Sequence, residues 1–341
     1  MRAALNGCCM TDLPMLTAVF IWEQYMTFGD TDFLAYTYPL AESLMEFVST
    51  RKNAEGFIQG IDDDWTFVDW SEIDKTGAVC AEQMLFVKAL LTMAQMAESL
   101  HKNTDDIAFY REEAAAFLQR INAYYWNDEK GAFIDSYASG KNHVTRHANI
   151  FALLFGLATD AQKESIVRNV ILNENITKIT TPFFEGFELD IMAMLGRKDY
   201  LESMFRNYWG AMLDMGATSY WEGFDVGWTN NCFRIDELPV AGREDVHGDR
   251  GEFCYPGFRN SLCHGWGAGP AAWCINRVLG IRPLDVGCRT VEVKPALGDL
   301  AWAEGAMALP DGKAVRVRAE RRADGSLDVK VDAPDGVKVK R

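Results

Sequence analysis

The feature that most restricts this chain is an alternation between two kinds of helical segment. Residues 13–28, 77–97, 147–157, 182–195 and 260–279 are apolar almost all round, and the segments between them, 31–48, 104–125, 160–172 and 198–213, carry one apolar stripe. Segment 13–28 spreads Leu13, Met15, Leu16, Val19, Phe20, Ile21, Trp22, Tyr25 and Met26 over every face. Segment 104–125 instead repeats Ile107, Tyr110, Ala114, Phe117, Ile121 and Tyr124 at spacings of three and four. A helix apolar all round is enclosed by protein, whereas a striped one lies at the surface. Five enclosed segments in strict alternation with four surface ones predict two concentric rings, an α/α toroid of antiparallel hairpins. A closed six-hairpin ring, (α/α)6, needs twelve helices. Nine predict an incomplete ring whose missing three precede residue 13, and self-association through the incomplete wall is expected.

After Gly280 the apolar period falls to two. Val291-Glu-Val-Lys, Val315-Arg-Val-Arg, Leu327-Asp-Val-Lys-Val and Val337-Lys-Val-Lys alternate in and out, and Pro310-Asp-Gly, Ala323-Asp-Gly and Pro334-Asp-Gly separate them as turns. The expected organisation is a mainly α domain over residues 1–280 and a small antiparallel β-sandwich over 281–341. Charge changes at the same place: residues 281–341 hold 12 Lys and Arg against 10 Asp and Glu, while the first 280 hold 22 against 39.

The net charge of −15 argues against a nucleic-acid partner and against an anionic membrane surface, both of which call for a basic face. No apolar run reaches the ~18 residues that span a bilayer, and the start lacks the apolar core of a secretory signal. A cytoplasmic protein is expected. Eight cysteines without a C-x-x-C pair, three of them (Cys80, Cys263, Cys274) within apolar patterns, are read as buried free thiols.

In a helical toroid the loops entering the inner helices line the pocket, and here those loops are unusual. Asp62-Asp-Asp-Trp65-Thr-Phe-Val-Asp69-Trp70-Ser-Glu72 precedes one inner segment; Ala217-Thr-Ser-Tyr-Trp221-Glu222-Gly-Phe-Asp225 and Ser261-Leu-Cys-His264-Gly-Trp266-Gly precede another. Five of the ten tryptophans (Trp65, Trp70, Trp221, Trp228, Trp266) stand in or beside these regions among carboxylates. Aromatic faces stack on the C–H side of a pyranose while carboxylates bind hydroxyls or move protons, so a carbohydrate site with carboxylate-driven glycoside hydrolysis is the chemistry indicated. Simpler structural roles stand beside these. Asp62–Asp64 reads as a solvated turn, Asp69-Trp70 as a helix cap beside a packed ring, and Glu222 as a surface ion-pair partner. His264 reads as a buried imidazole, and Glu185 with Glu188 as carboxylates at a helix N-terminus. His143 and His147 have metal-like spacing but no third ligand. No metal and no cofactor is expected.

Gly56-Phe-Ile, Asp69-Trp70, Gly77-Ala-Val-Cys-Ala-Glu-Gln83, Thr180-Thr-Pro-Phe-Phe-Glu-Gly-Phe-Glu188, Gly216-Ala-Thr-Ser-Tyr-Trp-Glu222 and Ser261-Leu-Cys-His264 together resemble bacterial α-L-rhamnosidases of glycoside hydrolase family 78. The resemblance covers essentially the whole chain. It implies an (α/α)6 barrel that hydrolyses terminal α-L-rhamnosides with inversion and without metal. Glu222 would be the general base, and Trp65, Asp69, Trp70, Trp221 and His264 would line the sugar subsite. The family's general acid belongs to an Arg/Asp/Trp motif upstream of this chain's first residue. The alternative is a catalytically silent sugar-binding or assembly protein that keeps the tryptophans and lacks the acid.

Overall fold

The computed structural model describes residues 4, 5, 8–61, 64–197, 203–250, 259–310 and 312–341. Asp62 and Asp63 of the expected acidic turn, and Leu201 of the expected stripe at 198–213, lie outside the described residues. The chain divides into two compact units, Met1–Val68 with Glu72–Lys178, and Asp69–Ser71 with Ile179–Arg341.

The first unit holds helices α1 (Asp12–Phe28), α2 (Thr31–Ser49), α3 (Cys80–Ser99), α4 (Thr104–Tyr125), α5 (Arg146–Leu154) and α6 (Asp160–Ile166), the last continued by a π turn over Val167–Ile171. Local chemistry sets several boundaries. Gly29 closes α1 in the left-handed region (φ 67°), and the Asp30 carboxylate then accepts the Phe33 N–H at 2.8 Å to open α2. Thr159 and Gln162 form a reciprocal capping box on α6. Helix α3 is the centre of the unit, packed on α1, α4 and α5, with Met84, Phe86, Leu90 and Met93 buried around its circumference. Helix α4 buries one face only, through Ala114, Phe117, Ile121 and Tyr125. That pair follows the enclosed and striped patterns of the sequence.

Helix α1 departs from its pattern. Met15, Ala18, Ile21 and Tyr25 are buried, yet Leu13, Phe20 and Phe28 are exposed, because α1 packs chiefly on α2 and α3 and these take one side of it.

The second unit holds α7 (Pro182–Met194), a π turn over Phe205–Trp209 running into α8 (Gly210–Asp214), and α9 (Gly269–Trp273) continued by a π turn over Cys274–Val278. Met204, Tyr208 and Met212 are buried at spacings of four, as the stripe requires. The expected helix at 260–279 is shorter. Residues 260–268 form a loop with one 3-10 turn at Gly265–Gly267, since three glycines and Pro270 prevent an earlier start. Ala271, Ala272 and Cys274 are exposed rather than enclosed. Cys263, in that loop, is also exposed, whereas Cys80, Cys232 and Cys288 are buried free thiols as expected.

From Ile281 the second unit is built of strands in two three-stranded sheets. Trp302–Ala308, Ala314–Arg321 and Leu327–Asp332 form an antiparallel meander in register Gly305 to Val317 and Val317 to Val331. Ile281–Pro283 and Thr290–Val293 are antiparallel, but Lys338–Lys340 joins Thr290–Val293 in parallel, having returned by way of the other sheet. Ile281, Val291, Val293, Met307, Val315 and Val317 from the two sheets share one core. Among the described residues no helix is long and apolar enough to cross a membrane.

Candidate functional site

The second unit brings together five sequence-predicted site residues: Asp69, Trp70, Trp221, Glu222 and His264. Trp65 belongs to the first unit. It lies half-buried on the short strand Asp64–Trp65, paired in parallel with Cys9 and Met10, with its ring edge-on to Phe67 at 5.3 Å.

Glu222 is 5 % exposed, and the loop at 260–266 fastens its backbone. Its N–H donates to the Ser261 carbonyl at 2.8 Å, and its own carbonyl accepts the Trp266 indole N–H at 2.9 Å. The next residue is clamped as well: the buried Asn260 amide accepts from the Gly223 N–H at 3.2 Å and donates to the Gly223 carbonyl at 3.0 Å. On the other side, the His264 N–H donates to the Tyr220 carbonyl at 2.7 Å. The two segments that the sequence singled out separately are therefore zipped together around Glu222.

The aromatic surface beside it differs from the one the motifs suggested. Trp221 is fully buried, edge-on to Phe224 at 5.6 Å, and its ring offers no open face. It supports the site as packing behind the loop. Half-buried Trp266 lies instead between Phe183, stacked at 5.2 Å and 15°, and the His264 imidazole at 4.5 Å. Phe183 stands in the first turn of α7, where Pro182 at the first position sets the helix start. Close approach here depends on Gly267: a Cβ at that position would lie 2.9 Å from the Trp221 carbonyl oxygen and 3.1 Å from Pro182 Cβ.

The start of α7 also ties in the Asp69 segment. Asp69 is fully buried, and it accepts the Thr181 hydroxyl at 2.5 Å and the Ser71 hydroxyl at 3.0 Å. Trp70, next to it, is half-buried. A continuous run of contacts thus leads from Asp69 through Thr181 and the first turn of α7 to Trp266 and Glu222. Glu185 and Glu188, expected as helix-terminal carboxylates, are both buried in the same helix. Phe183, Thr181 and Asn260 are the members that sequence reasoning missed. Thr181 and Phe183 lie inside the motif Thr180–Glu188 and could have been found from it, whereas nothing adjacent to Asn260 marks its clamp.

The first unit carries its own buried carboxyls. Asp12 and Glu82 stand in the first turns of α1 and α3, and the Thr11 hydroxyl donates to Glu82. Burial pushes the Asp12 carboxyl up to about 7 and Glu82 up to about 8, the latter raised further by the Asp12 and Asp64 charges. His143 and His147, at metal-like spacing, have protein partners: His143 Nδ1 lies 2.6 Å from Asp135 Oδ2, and His147 Nδ1 lies 3.1 Å from Thr145 Oγ1.

The second unit thus gathers the buried carboxylates of Asp69 and Glu222 with the half-buried rings of Trp70 and Trp266 and the His264 imidazole. Residues 14–278 match the bacterial alpha-L-rhamnosidase six-hairpin glycosidase domain, and residues 280–340 match the bacterial alpha-L-rhamnosidase C-terminal domain. Among solved structures, a family 78 rhamnosidase from Bacillus sp. GL1 is similar at 23 % identity and TM-score 0.80, over 97 % of this chain and 33 % of that one. A Klebsiella oxytoca rhamnosidase with rhamnose bound is similar at 22 % identity and TM-score 0.62, over 80 % of this chain and 47 % of that one. A Streptomyces avermitilis alpha-L-rhamnosidase complexed with L-rhamnose is similar at 18 % identity and TM-score 0.66, over 96 % of this chain and 29 % of that one. No curated protein matches in sequence. The chain spans less than half the length of these solved relatives, and what they share with it is the fold. The chain belongs to the bacterial alpha-L-rhamnosidase family, a six-hairpin glycosidase domain followed by a C-terminal domain of mainly antiparallel strands.

Proposed function

We propose that residues 1–280 carry the sugar-binding and water-activating part of an inverting α-L-rhamnosidase, with Glu222 as its general base. The carboxylate takes a proton from a water that attacks the anomeric carbon. The bond from that carbon to the leaving oxygen breaks, and the leaving oxygen takes its proton from an acid outside residues 1–341. His264 binds a sugar hydroxyl, Trp70 walls the subsite, buried Asp69 holds the start of α7 through Thr181, and Trp221 supports the Glu222 loop from behind. The observation that carries this reading is the desolvated Glu222, whose carbonyl is tied to Trp266 beside an aromatic stack. Two relatives bound to rhamnose or L-rhamnose support the sugar named.

The test is nitrophenol release from an aryl α-L-rhamnoside by the purified chain and by Glu222→Gln. A good leaving group needs little protonation, so the base is assayed without the acid. Release that falls by about 10²-fold or more in Glu222→Gln, with β-L-rhamnose as the first product, supports the reading. L-rhamnose binding without turnover in either protein replaces it with the sugar-binding alternative.

A further inference from the structure

The second unit contains a cavity of about 410 Å³ at the end of α7 remote from Glu222. Its walls come from Ala193 in the last turn of α7 and Gly196 after it, from Phe205 and Arg206, from Trp273, Cys274 and Asn276–Val278 at the last helical turns, and from Arg282, Lys294 and Ala296–Leu300 beyond them. The Glu222 site touches α7 at Pro182 and Phe183. Helix α7 has 13 residues, so at ~1.5 Å per residue its two ends lie about 20 Å apart. The cavity is a separate site.

Its chemistry is two-sided. Phe205 and Trp273 face each other at 4.9 Å and 47°, a ring pair that continues into Val278, Leu297 and Leu300. Around these stand four cations: Arg206, Arg277, Arg282 and Lys294. Arg206 pairs with Asp299 at 2.7 Å and Arg277 with Asp190 at 3.1 Å, but Arg282 and Lys294 share the single carboxylate of Glu292. Among the described residues, three carboxylates therefore pair with four cations, a positive excess of one in a chain whose net charge is −15. A neutral sugar would find few acceptors there, since Asp299 is the one carboxylate among the described lining residues. A free phosphate would leave the ring pair unused. A flat apolar ring bearing one carboxylate satisfies both parts, with the ring against Phe205 and Trp273 and the charge toward Lys294 and Arg282.

We infer that this cavity binds a small aromatic carboxylate. The probe is 2-naphthoate, titrated calorimetrically into the full chain, with 2-naphthalenemethanol, inorganic phosphate and L-rhamnose alongside. The expected result is one naphthoate per chain, with the alcohol and the phosphate each at least about tenfold weaker, the loss of one charge-assisted contact or of the ring. Asn276→Trp, a substitution at an exposed lip residue, should abolish binding by filling the mouth. Lys294→Gln, also exposed, should weaken naphthoate about tenfold and leave the alcohol unchanged. Glu222→Gln should bind naphthoate as the parent does, which separates this site from the proposed rhamnoside site. Failure of naphthoate to bind, equal binding of naphthoate and the alcohol, or binding that survives Asn276→Trp each overturns the proposal. So does a change of oligomeric state in Asn276→Trp without any effect of naphthoate, which would make a second copy the occupant.

Discussion

The Trp266 indole N–H donates to the backbone carbonyl of Glu222 at 2.9 Å, while the same ring stacks on Phe183 at 5.2 Å. One side chain thus joins the loop that carries the carboxylate to the start of α7. Trp266→Phe keeps a ring for the stack and removes the donor, leaving a carbonyl unpaired beside buried Glu222. The expected cost is about 1–3 kcal/mol of unfolding free energy. Denaturant unfolding measures it, and a stability equal to the parent's would mean that the hydrogen bond does not hold the loop.

Thr181 and Asp69 form the second tie. Thr181→Val removes the hydroxyl at nearly constant shape and leaves the fully buried Asp69 with one hydroxyl donor fewer. A loss of about 1–3 kcal/mol is expected, with Thr181→Ser restoring most of it. Thermal unfolding of the three proteins decides this, and a Ser variant as weak as Val would assign the effect to packing.

Gly267 is needed for close approach. Gly267→Ala puts a Cβ 2.9 Å from the Trp221 carbonyl oxygen and so pushes the 261–267 loop away from Pro182. Overpacking of this kind costs about 1–3 kcal/mol. If the loop shapes the sugar site, L-rhamnose affinity falls in the same variant. Unchanged affinity with reduced stability would show that the loop serves folding alone.

Stability should decline from acid toward alkaline pH through Asp12 and Glu82. Both carboxyls titrate far above the ~4 of an unfolded chain, Asp12 near about 7 and Glu82 near about 8 because burial disfavours their charge. Between those values the native state retains protons that the unfolded state has released. Their contribution is therefore complete below about pH 4 and is lost as pH rises to about 8. Urea unfolding of the parent at pH 5.5 and 8.5 (about these values, chosen to bracket the titration) should find lower stability at the higher pH. Glu82→Gln should reduce the difference, and a parent stability that rises with pH across this window, or a difference untouched by the substitution, would refute the assignment.

How much of this was legible in the sequence depends on the range of the interaction. The periods of α3 and α4 and the in-out alternation after Gly280 are local, and the helices and strands follow them. The residues of the Trp221-Glu222 and Ser261–Trp266 segments could be singled out because carboxylates and rings crowd there. Their mutual clamp could not, since Asn260 meets Gly223 across 37 positions. Nor could the pattern foresee that the Trp221 ring is fully enclosed while Trp266 carries the stack, because a tryptophan has the same local signature in either place.

The sequence by itself determined which segments are helical or extended, where glycine and proline end them, and which family the motifs resemble. These follow from backbone preference and from which face of each element is apolar. Only the tertiary structure decided that α1 is covered on one side and that Asp69–Ser71 group with residues 179–341 rather than with the chain on either side of them. Those outcomes depend on what packs against each surface. A hydrophobic period states that a face prefers to be buried, and contacts between distant residues such as Thr181 and Asp69 settle which faces are.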